Sequence, residues 1–294
     1  MIEAPVEAVQ PGAAPTKEAR QKLADLERIL RGYGNVIVAY SGGVDSAFLA
    51  VVAQRVLGEQ ALAVTADSES LAPEELEDAK ALAARFGLRH EIIRTQELSD
   101  ENYASNPLNR CYFCKSELMT KLAATAQARG ARVALGATMD DLADFRPGES
   151  AASERGAIFP LREAMLHKAE IRALSHELGL PTWDKPGAAC LSSRIPFGER
   201  VTAEKLSQIA RGEYYLHKAG FRECRLRHHG TIARLEVPPA QFEAVLARRE
   251  EIAEALRALG FAHVTLDLQG LRSGSLTEAA LKVSPVPPAF GRRD

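Results

Sequence analysis

The chain has 294 residues, a formal charge of −2 and four cysteines. That is enough sequence for one large domain or two modest ones with an ample core. It excludes a global basic field for nucleic acid, and no apolar run approaches membrane-spanning length.

Met1 to Thr16 is rich in Ala, Pro and Val and lacks both a basic n-region and an apolar h-region. It reads as a disordered tail (1–16), not a signal peptide. With no signal, four cysteines fit a reducing, cytoplasmic setting, where thiols serve chemistry or metals more often than disulfides. Lys17 to Tyr33 places Leu23, Leu26, Ile29 and Leu30 on one side of a helix, which Gly32 and Gly34 stop. Val36 to Ala39 is a β-branched run typical of a buried strand, and Ala47 to Leu57 has the apolar spacing of a buried helix. Between them stands Ser41-Gly42-Gly43-Val44-Asp45-Ser46.

Strand, glycine turn and helix N-terminus together form an anion site. Glycines let the backbone approach an oxyanion, while free amides and the helix dipole favour negative charge. Ser41 and Ser46 add hydroxyl donors, and Asp45 is placed to hold Mg2+ on the same phosphates. The spacing matches neither the Walker P-loop nor the dinucleotide fingerprint.

Further on, Ala61–Asp67 reads as a strand and Pro73 opens a helix running to about Phe86. His90–Ile93 is a strand, Lys115–Arg129 a helix, Val133–Thr138 a strand and His167–Leu178 a helix. The alternation predicts an α/β fold with a doubly wound parallel sheet, binding its ligand at the strand carboxyl ends. Residues 139–156 and 186–198 read as polar loops. The pattern changes near residue 200. A helix (203–219), two strands (224–229 and 232–237), a helix (239–259) and a third strand (263–268) resemble part of a ferredoxin-like α+β sandwich. The expected division is therefore 17–200 for the ATP-binding domain, 201–274 for a smaller substrate or oligomerisation domain, and a flexible tail over 275–294.

Cys111 and Cys114 form a C-x-x-C at a helix start, where the helix N-terminus, Arg110 and Lys115 would lower both thiol pKa values. With Cys190, in a loop flanked by basic residues, they make a three-cysteine set suited to a cluster with one iron left open. Cys224, in a predicted strand, reads as a buried packing thiol. Asp140, Asp141 and Asp144 crowd a strand-end loop with Arg146, either as solvated helix caps or as partners of Asp45 in organising magnesium and phosphate. Lys168 and Arg172, four apart on one helix face, are candidate phosphate ligands. Arg225, Arg227 and His229 alternate along one strand face, and a buried face is not expected to be built this way, so an anionic ligand is favoured there. Glu213 and Glu236 would balance that charge or hold a metal.

The S-G-G-x-D-S loop after a strand resembles the PP-loop of ATP pyrophosphatases. With R-C-Y-F-C-K (110–115), G-A-T-M-D-D-L-A-D-F-R-P-G (136–148), W-D-K-P-G-A-A-C-L-S-S-R-I-P-F-G-E-R (183–200) and R-L-R-H-H-G-T-I-A-R-L-E-V (225–237), the chain resembles a more specific family. These are the ATP-dependent sulfur transferases (LarE type) that build the nickel-pincer nucleotide cofactor of lactate racemase. The likeness spans about Lys17 to Gly274.

The resemblance implies a small nucleotide substrate, pyridinium-3,5-biscarboxylic acid mononucleotide, and ATP phosphates on Ser41, Gly42, Gly43, Asp45 and Ser46, with Asp141 and Lys168 beside them. Arg194, Glu213, Arg225, Arg227 and Glu236 would face the substrate or a metal. Sulfur would come from a [4Fe-4S] cluster on Cys111, Cys114 and Cys190, or sacrificially from Cys190 itself. A homo-oligomer, a hexamer by resemblance, is implied too. The alternatives are a PP-loop tRNA thiolase, disfavoured by the net acidic charge, and a non-catalytic protein that senses ATP or iron.

Overall fold

The computed structural model describes residues 14–143, 146–187 and 189–272. Asp144, the first part of the expected leading tail and the segment beyond Arg272 lie outside the described residues. The chain divides into two compact units. One runs to Ser68 and continues over Pro73–Gln96 and Cys111–Ala188; the other takes Glu69–Ala72, Glu97–Arg110 and the chain from Ala189 onward.

The first unit begins with α1 (Lys17–Tyr33), which Thr16 caps by accepting from the Ala19 amide at 3.1 Å. Gly34 ends it at φ +72°, in the left-handed region that glycine adopts without strain. Then come β1 (Val36–Ala39), α2 (Val44–Leu57), β2 (Ala61–Asp67), α3 (Pro73–Arg85) and β3 (His90–Arg94). After α4 (Glu101–Ala104), which belongs to the second unit, follow α5 (Arg110–Arg129), β4 (Arg132–Ala134), α6 (Pro147–Glu154), α7 (Pro160–Glu163) and α8 (Lys168–Glu177).

The strands form one parallel sheet in the order β3-β2-β1-β4, as the strand–helix alternation predicts. Helix α2 is the centre of this layer's packing. From Ser46 to Ala53 every residue is buried, and Phe48 and Leu49 are fully so, against α1, α8 and β2. Each large apolar side chain buried this way contributes about 1.5–3 kcal/mol.

Two expectations need correction here. The strand expected over 133–138 pairs with β1 only as far as Ala134, because Leu135 already donates to Ile158 O and Thr138 donates to the Asp141 carboxylate. The expected loop over 139–156 contains helix α6. Pro147 at its first turn and the buried Ala151 and Ala152 are the sequence signals for it.

The second unit holds α9 (Ala203–Lys218), β5 (Arg225–His229), β6 (Ile232–Glu236), α10 (Phe242–Ala247), α11 (Arg249–Arg257) and β7 (His263–Leu266). The sheet order is β5-β6-β7, antiparallel then parallel. Its core gathers Leu216, Phe221, Leu226, Leu235, Ile252 and Leu256. The single helix expected over 239–259 is instead a 3-10 turn followed by α10 and α11, broken at Arg248. That side chain leaves the helix line to donate to Ala219 O at 2.6 Å.

Candidate functional site

In the first unit the turn between β1 and α2 folds on itself. The Ser41 amide donates to Ser46 Oγ at 3.2 Å, the two serine hydroxyls meet at 3.0 Å, and Ser46 Oγ donates to Gly43 O at 3.2 Å. The first helical bond is Ala47 N to Gly43 O, so the amides of Val44, Asp45 and Ser46 precede the ladder and point out of the helix end. Gly42 sits at φ +74°, and a Cβ there would stand 3.0 Å from Ala79 Cβ. Gly136, after β4, is equally constrained. A Cβ would meet Ser46 N at 3.0 Å and the Asp45 carbonyl carbon at 3.1 Å. Only glycine lets the β4 end lie flush against this turn.

Charged groups surround it. Burial pushes the Asp45 carboxyl up to about 6, and nearby Lys168 and Arg172 only partly counter this. Burial also acts on Asp141, but hydrogen bonds from Lys168 and Thr138 and the charge of Arg146 outweigh it, holding that carboxyl below its ordinary value. Asp141 Oδ1 lies 2.9 Å from Lys168 Nζ and 2.7 Å from Arg146, while Oδ2 accepts from Thr138 N and Oγ1. Asp140 accepts from the Lys168 amide at 2.8 Å, so it caps α8. Arg172 donates to Trp183 O and Lys185 O, fastening the W-D-K segment in place of reaching for an open site.

The C-x-x-C lies on the first turn of α5, with Cys111 exposed and Cys114 half-buried, neither in a disulfide. Helix α6 packs on this turn. Tyr112 donates to Glu154 at 2.6 Å, and a Cβ on Gly148 would stand 3.0 Å from Cys111 O and 2.9 Å from Lys115 Cγ.

The second unit carries Cys190, exposed and free, at the head of a 3-10 turn over Leu191–Arg194. Three buried arginines hold that turn by its carbonyls. Arg194 donates to Ala189 O at 2.8 Å, Arg110 to Ser192 O at 3.0 Å and Arg227 to Ser193 O at 2.7 Å. Below them sit buried carboxylates. Glu213 takes Arg194 in a two-pronged pair and also accepts from the Leu226 amide. Glu236, fully buried, takes Arg227 and Arg234 at 2.9 Å each.

The expectation that an alternating Arg225–Arg227–His229 face would not be buried is therefore wrong at Arg227. A buried cation is tolerated when a carboxylate and a carbonyl satisfy it. Arg225 differs from its neighbours. It is half-buried, donates to Arg272 O at 3.0 Å and, among the described residues, forms no ion pair. Burial, then Arg227 and Arg194, lower its pKa. Cys224 is a buried packing thiol as expected, its pKa raised chiefly by burial.

The structure thus brings Ser41, Gly42, Gly43, Asp45, Ser46, Asp141 and Lys168 together in the first unit. It brings Cys190, Arg194, Arg227, Glu213 and Glu236 together in the second, with Arg225 beside them. Among the described residues, no group of three or more His, Cys, Asp or Glu is gathered as metal ligands would be, and no helix is long and apolar enough to cross a membrane.

Sequence reasoning missed Asn106, at φ +57° and fully buried, whose amide donates to Ile195, Pro196 and Glu199 carbonyls. The Asn-Pro dipeptide was its available signal. Also missed was the direction of Arg110, which turns toward Cys190.

Comparison with known proteins agrees with this geometry. Residues 24–129 match the NAD synthase family model, a stretch that holds β1 to β3 and the glycine turn. An NH(3)-dependent NAD(+) synthetase of Chlorobaculum tepidum is 30% identical over 54% of this chain and 59% of its own length. An uncharacterized protein of Synechocystis is 46% identical over 89% of this chain and 98% of its own. The pyridinium-3,5-bisthiocarboxylic acid mononucleotide synthase of Lactiplantibacillus plantarum is 37% identical over 89% of this chain and 95% of its own. A likeness of that extent takes in both units, the glycine turn and the Cys190 loop alike, and the chain belongs to the PP-loop sulfur transferase family of the pyridinium-3,5-bisthiocarboxylic acid mononucleotide synthases.

Proposed function

We propose that the chain converts a carboxylate of pyridinium-3,5-biscarboxylic acid mononucleotide to a thiocarboxylate at the expense of ATP. The observation that carries this reading is Cys190, an exposed thiol on a turn whose carbonyls three buried guanidinium groups hold. A fixed, accessible sulfur in a family of PP-loop enzymes fits acyl activation followed by sulfur attack.

A substrate carboxylate oxygen attacks the α-phosphorus of ATP, and the bond to the bridging oxygen breaks to release pyrophosphate. The acyl-adenylate now has a good leaving group. A sulfur nucleophile adds to its carbonyl carbon, and AMP departs with the former carboxylate oxygen. The amides ahead of the α2 ladder, with Ser41, Gly42, Gly43 and Ser46, would bind the phosphates. Asp45, half-buried and beside that turn, would hold Mg2+, which supplies charge neutralisation on the phosphates. Asp141 would position Lys168 toward them. Arg225, lacking an ion-pair partner among the described residues, would take an anionic group of the mononucleotide, with Arg194, Arg227, Glu213 and Glu236 supporting it.

As sulfur source we favour a [4Fe-4S] cluster, which would supply sulfide-level sulfur to the activated carboxylate. Cys111, Cys114 and Cys190, none of them in a disulfide, would hold it, two of them at a helix start. The alternative is Cys190 itself. Its thioester would lose the Cα proton and cleave the Cβ–Sγ bond, leaving thiocarboxylate on the substrate and dehydroalanine in the chain. Residues 201–274 would serve substrate binding and assembly of a homo-oligomer, as the family resemblance implies, in the cytoplasm.

The test is substrate-dependent pyrophosphate release and thiocarboxylate formation followed by mass spectrometry. Anaerobic reconstitution with iron and sulfide follows, for wild type and Cys111→Ala. Cluster absorbance lost in the variant supports the cluster source. No bound iron, with a dehydroalanine at 190 after one turnover, overturns it in favour of Cys190.

A further inference from the structure

In sequence Thr65 and His90 are ordinary strand residues, yet hydrogen bonds carry both to the glycine turn of the first unit. Strand β1 ends at Ala39, and the next amide, Tyr40 N, donates to Val64 O at 2.8 Å. The carbonyl of Tyr40 is held by a side chain: Thr65 Oγ1 donates to it at 2.7 Å. Thr65 Oγ1 also lies 2.8 Å from His90 Nε2. A hydroxyl has one proton and a carbonyl oxygen can only accept. The Thr65 proton therefore belongs to Tyr40 O, and His90 is the donor at Nε2. Thr65 is buried at 1% exposure, where valine would fill the same volume.

What Thr65 holds is the peptide group between Tyr40 and Ser41. Its N–H, in the same rigid plane as the carbonyl, donates to Ser46 Oγ at 3.2 Å. Ser46 Oγ donates onward to Gly43 O, which also accepts the first bond of α2 from Ala47. The donors thus run one way, from His90 through Thr65, the Tyr40–Ser41 peptide and Ser46 to Gly43. Bonds aligned in this manner reinforce one another. The Tyr40 ring braces the same place. It stands edge-on to His90 at 5.4 Å, and its hydroxyl donates at 3.0 Å to the carbonyl of Ala79, the residue against which Gly42 packs.

We infer that Thr65 is a positioning residue for the phosphate turn, acting through the Tyr40–Ser41 peptide, and that His90 orients its hydroxyl. Rotation of that peptide would carry the Ser41 amide away from Ser46 and disturb the spacing between the strand end and the α2 amides. The inference rests on the reading of this turn as the ATP phosphate site for its consequence in binding, but not for its effect on the turn itself.

Two substitutions at one position separate the hydroxyl from its packing. Thr65→Val keeps the volume and loses the proton, while Thr65→Ser keeps the proton and removes a buried methyl group. His90→Phe keeps a ring beside Tyr40 without a donor. Because His90 acts through Thr65, its loss should add nothing once the hydroxyl is gone.

Two measurements on the full chain test this, with melting temperature as the check on folding. The first needs no ligand: hydrogen exchange of nucleotide-free protein, followed by mass spectrometry of fragments over 38–46 and over the rest of the sheet. Thr65→Val should exchange about fivefold faster over 40–46, with the other strands unchanged. The second is the Kd of α,β-methylene-ATP with magnesium, by calorimetry. Thr65→Val should bind about fivefold to tenfold more weakly, the size of one lost hydrogen bond, and Thr65→Ser within about twofold of wild type. Thr65→Val with His90→Phe should bind no more weakly than Thr65→Val alone. Unchanged exchange and Kd in Thr65→Val overturn the inference. So does an equal loss in Thr65→Ser, or faster exchange across the whole sheet, since either makes the residue a packing group only. An additive double variant overturns the part given to His90. If wild-type protein does not bind the analogue, the ATP reading of the turn fails, and the exchange result still decides whether Thr65 holds the peptide.

Discussion

Arg194 and Glu213 meet in a two-pronged pair, Nε to Oε1 at 2.8 Å and NH2 to Oε2 at 3.0 Å, both side chains buried. The pair joins the Cys190 turn to α9, because Arg194 also holds Ala189 O and Glu213 also accepts from the β5 amide of Leu226. Glu213→Gln keeps the shape but leaves a buried cation without its counter-charge, a loss on the order of 3–5 kcal/mol. For a chain of this size that corresponds to a melting temperature lower by roughly 10 °C. Thermal unfolding measures it, and an unchanged midpoint would show that the pair is not under strain from desolvation.

The carboxyl of Asp45, pushed up to about 6 chiefly by burial, makes a pH-dependent contribution. Its folded pKa lies above the unfolded value, so folding is penalised once the group must ionise. That cost is absent below the unfolded pKa, grows as pH rises through about 6, and is fully present at pH 7 to 8. Asp45→Asn in nucleotide- and metal-free protein should therefore raise stability at pH 7.5, by at most about 3 kcal/mol. The advantage should shrink toward pH 5. The same variant should lose ATP-dependent pyrophosphate release. Equal denaturant midpoints at pH 7.5 would count against a desolvated carboxylate.

Gly136 touches the glycine turn through backbone atoms that cannot yield. Gly136→Ala should cost about 1–3 kcal/mol by overpacking and raise the KM for ATP, since the Cβ presses on the Ser46 amide. Gly187→Ala is the control, because a Cβ there meets nothing within 4 Å. Chemical unfolding and ATP titration of pyrophosphate release compare the two. Equal behaviour would mean that the β4 end moves aside freely.

Arg225 is the half-buried cation that burial and two neighbouring arginines leave poorly compensated. Arg225→Gln should leave the melting temperature unchanged or raise it, while the KM for the mononucleotide rises tenfold or more. A lower melting temperature with KM unchanged would assign it a structural role instead.

Much of the fold was legible in the sequence because local signals and tertiary packing agree. Gly34 ends α1, as its place after the apolar-periodic run suggests, and β-branched strands alternate with helices to give the parallel sheet. The glycine turn was legible for the same reason: strand, glycines and helix start are contiguous. What escaped were features fixed by distant partners. The break at Arg248 answers to Ala219 O, far off in the chain, while the 239–259 periodicity continues across it. Arg227 read as an open anion ligand because a strand's alternation does not reveal that Glu236 will be buried opposite. Arg110 sits beside two cysteines in sequence and turns to a third in space.

Carboxylate activation is the central step of the account, and an isotope label reads it directly. Pyridinium-3,5-biscarboxylic acid mononucleotide with oxygen-18 in its carboxylates is incubated with ATP, magnesium and the protein, and the AMP is examined by mass spectrometry. The account expects AMP carrying one heavy oxygen from the substrate, formed together with thiocarboxylate. Thiocarboxylate accompanied by unlabelled AMP, or AMP formed without regard to the substrate, would contradict it.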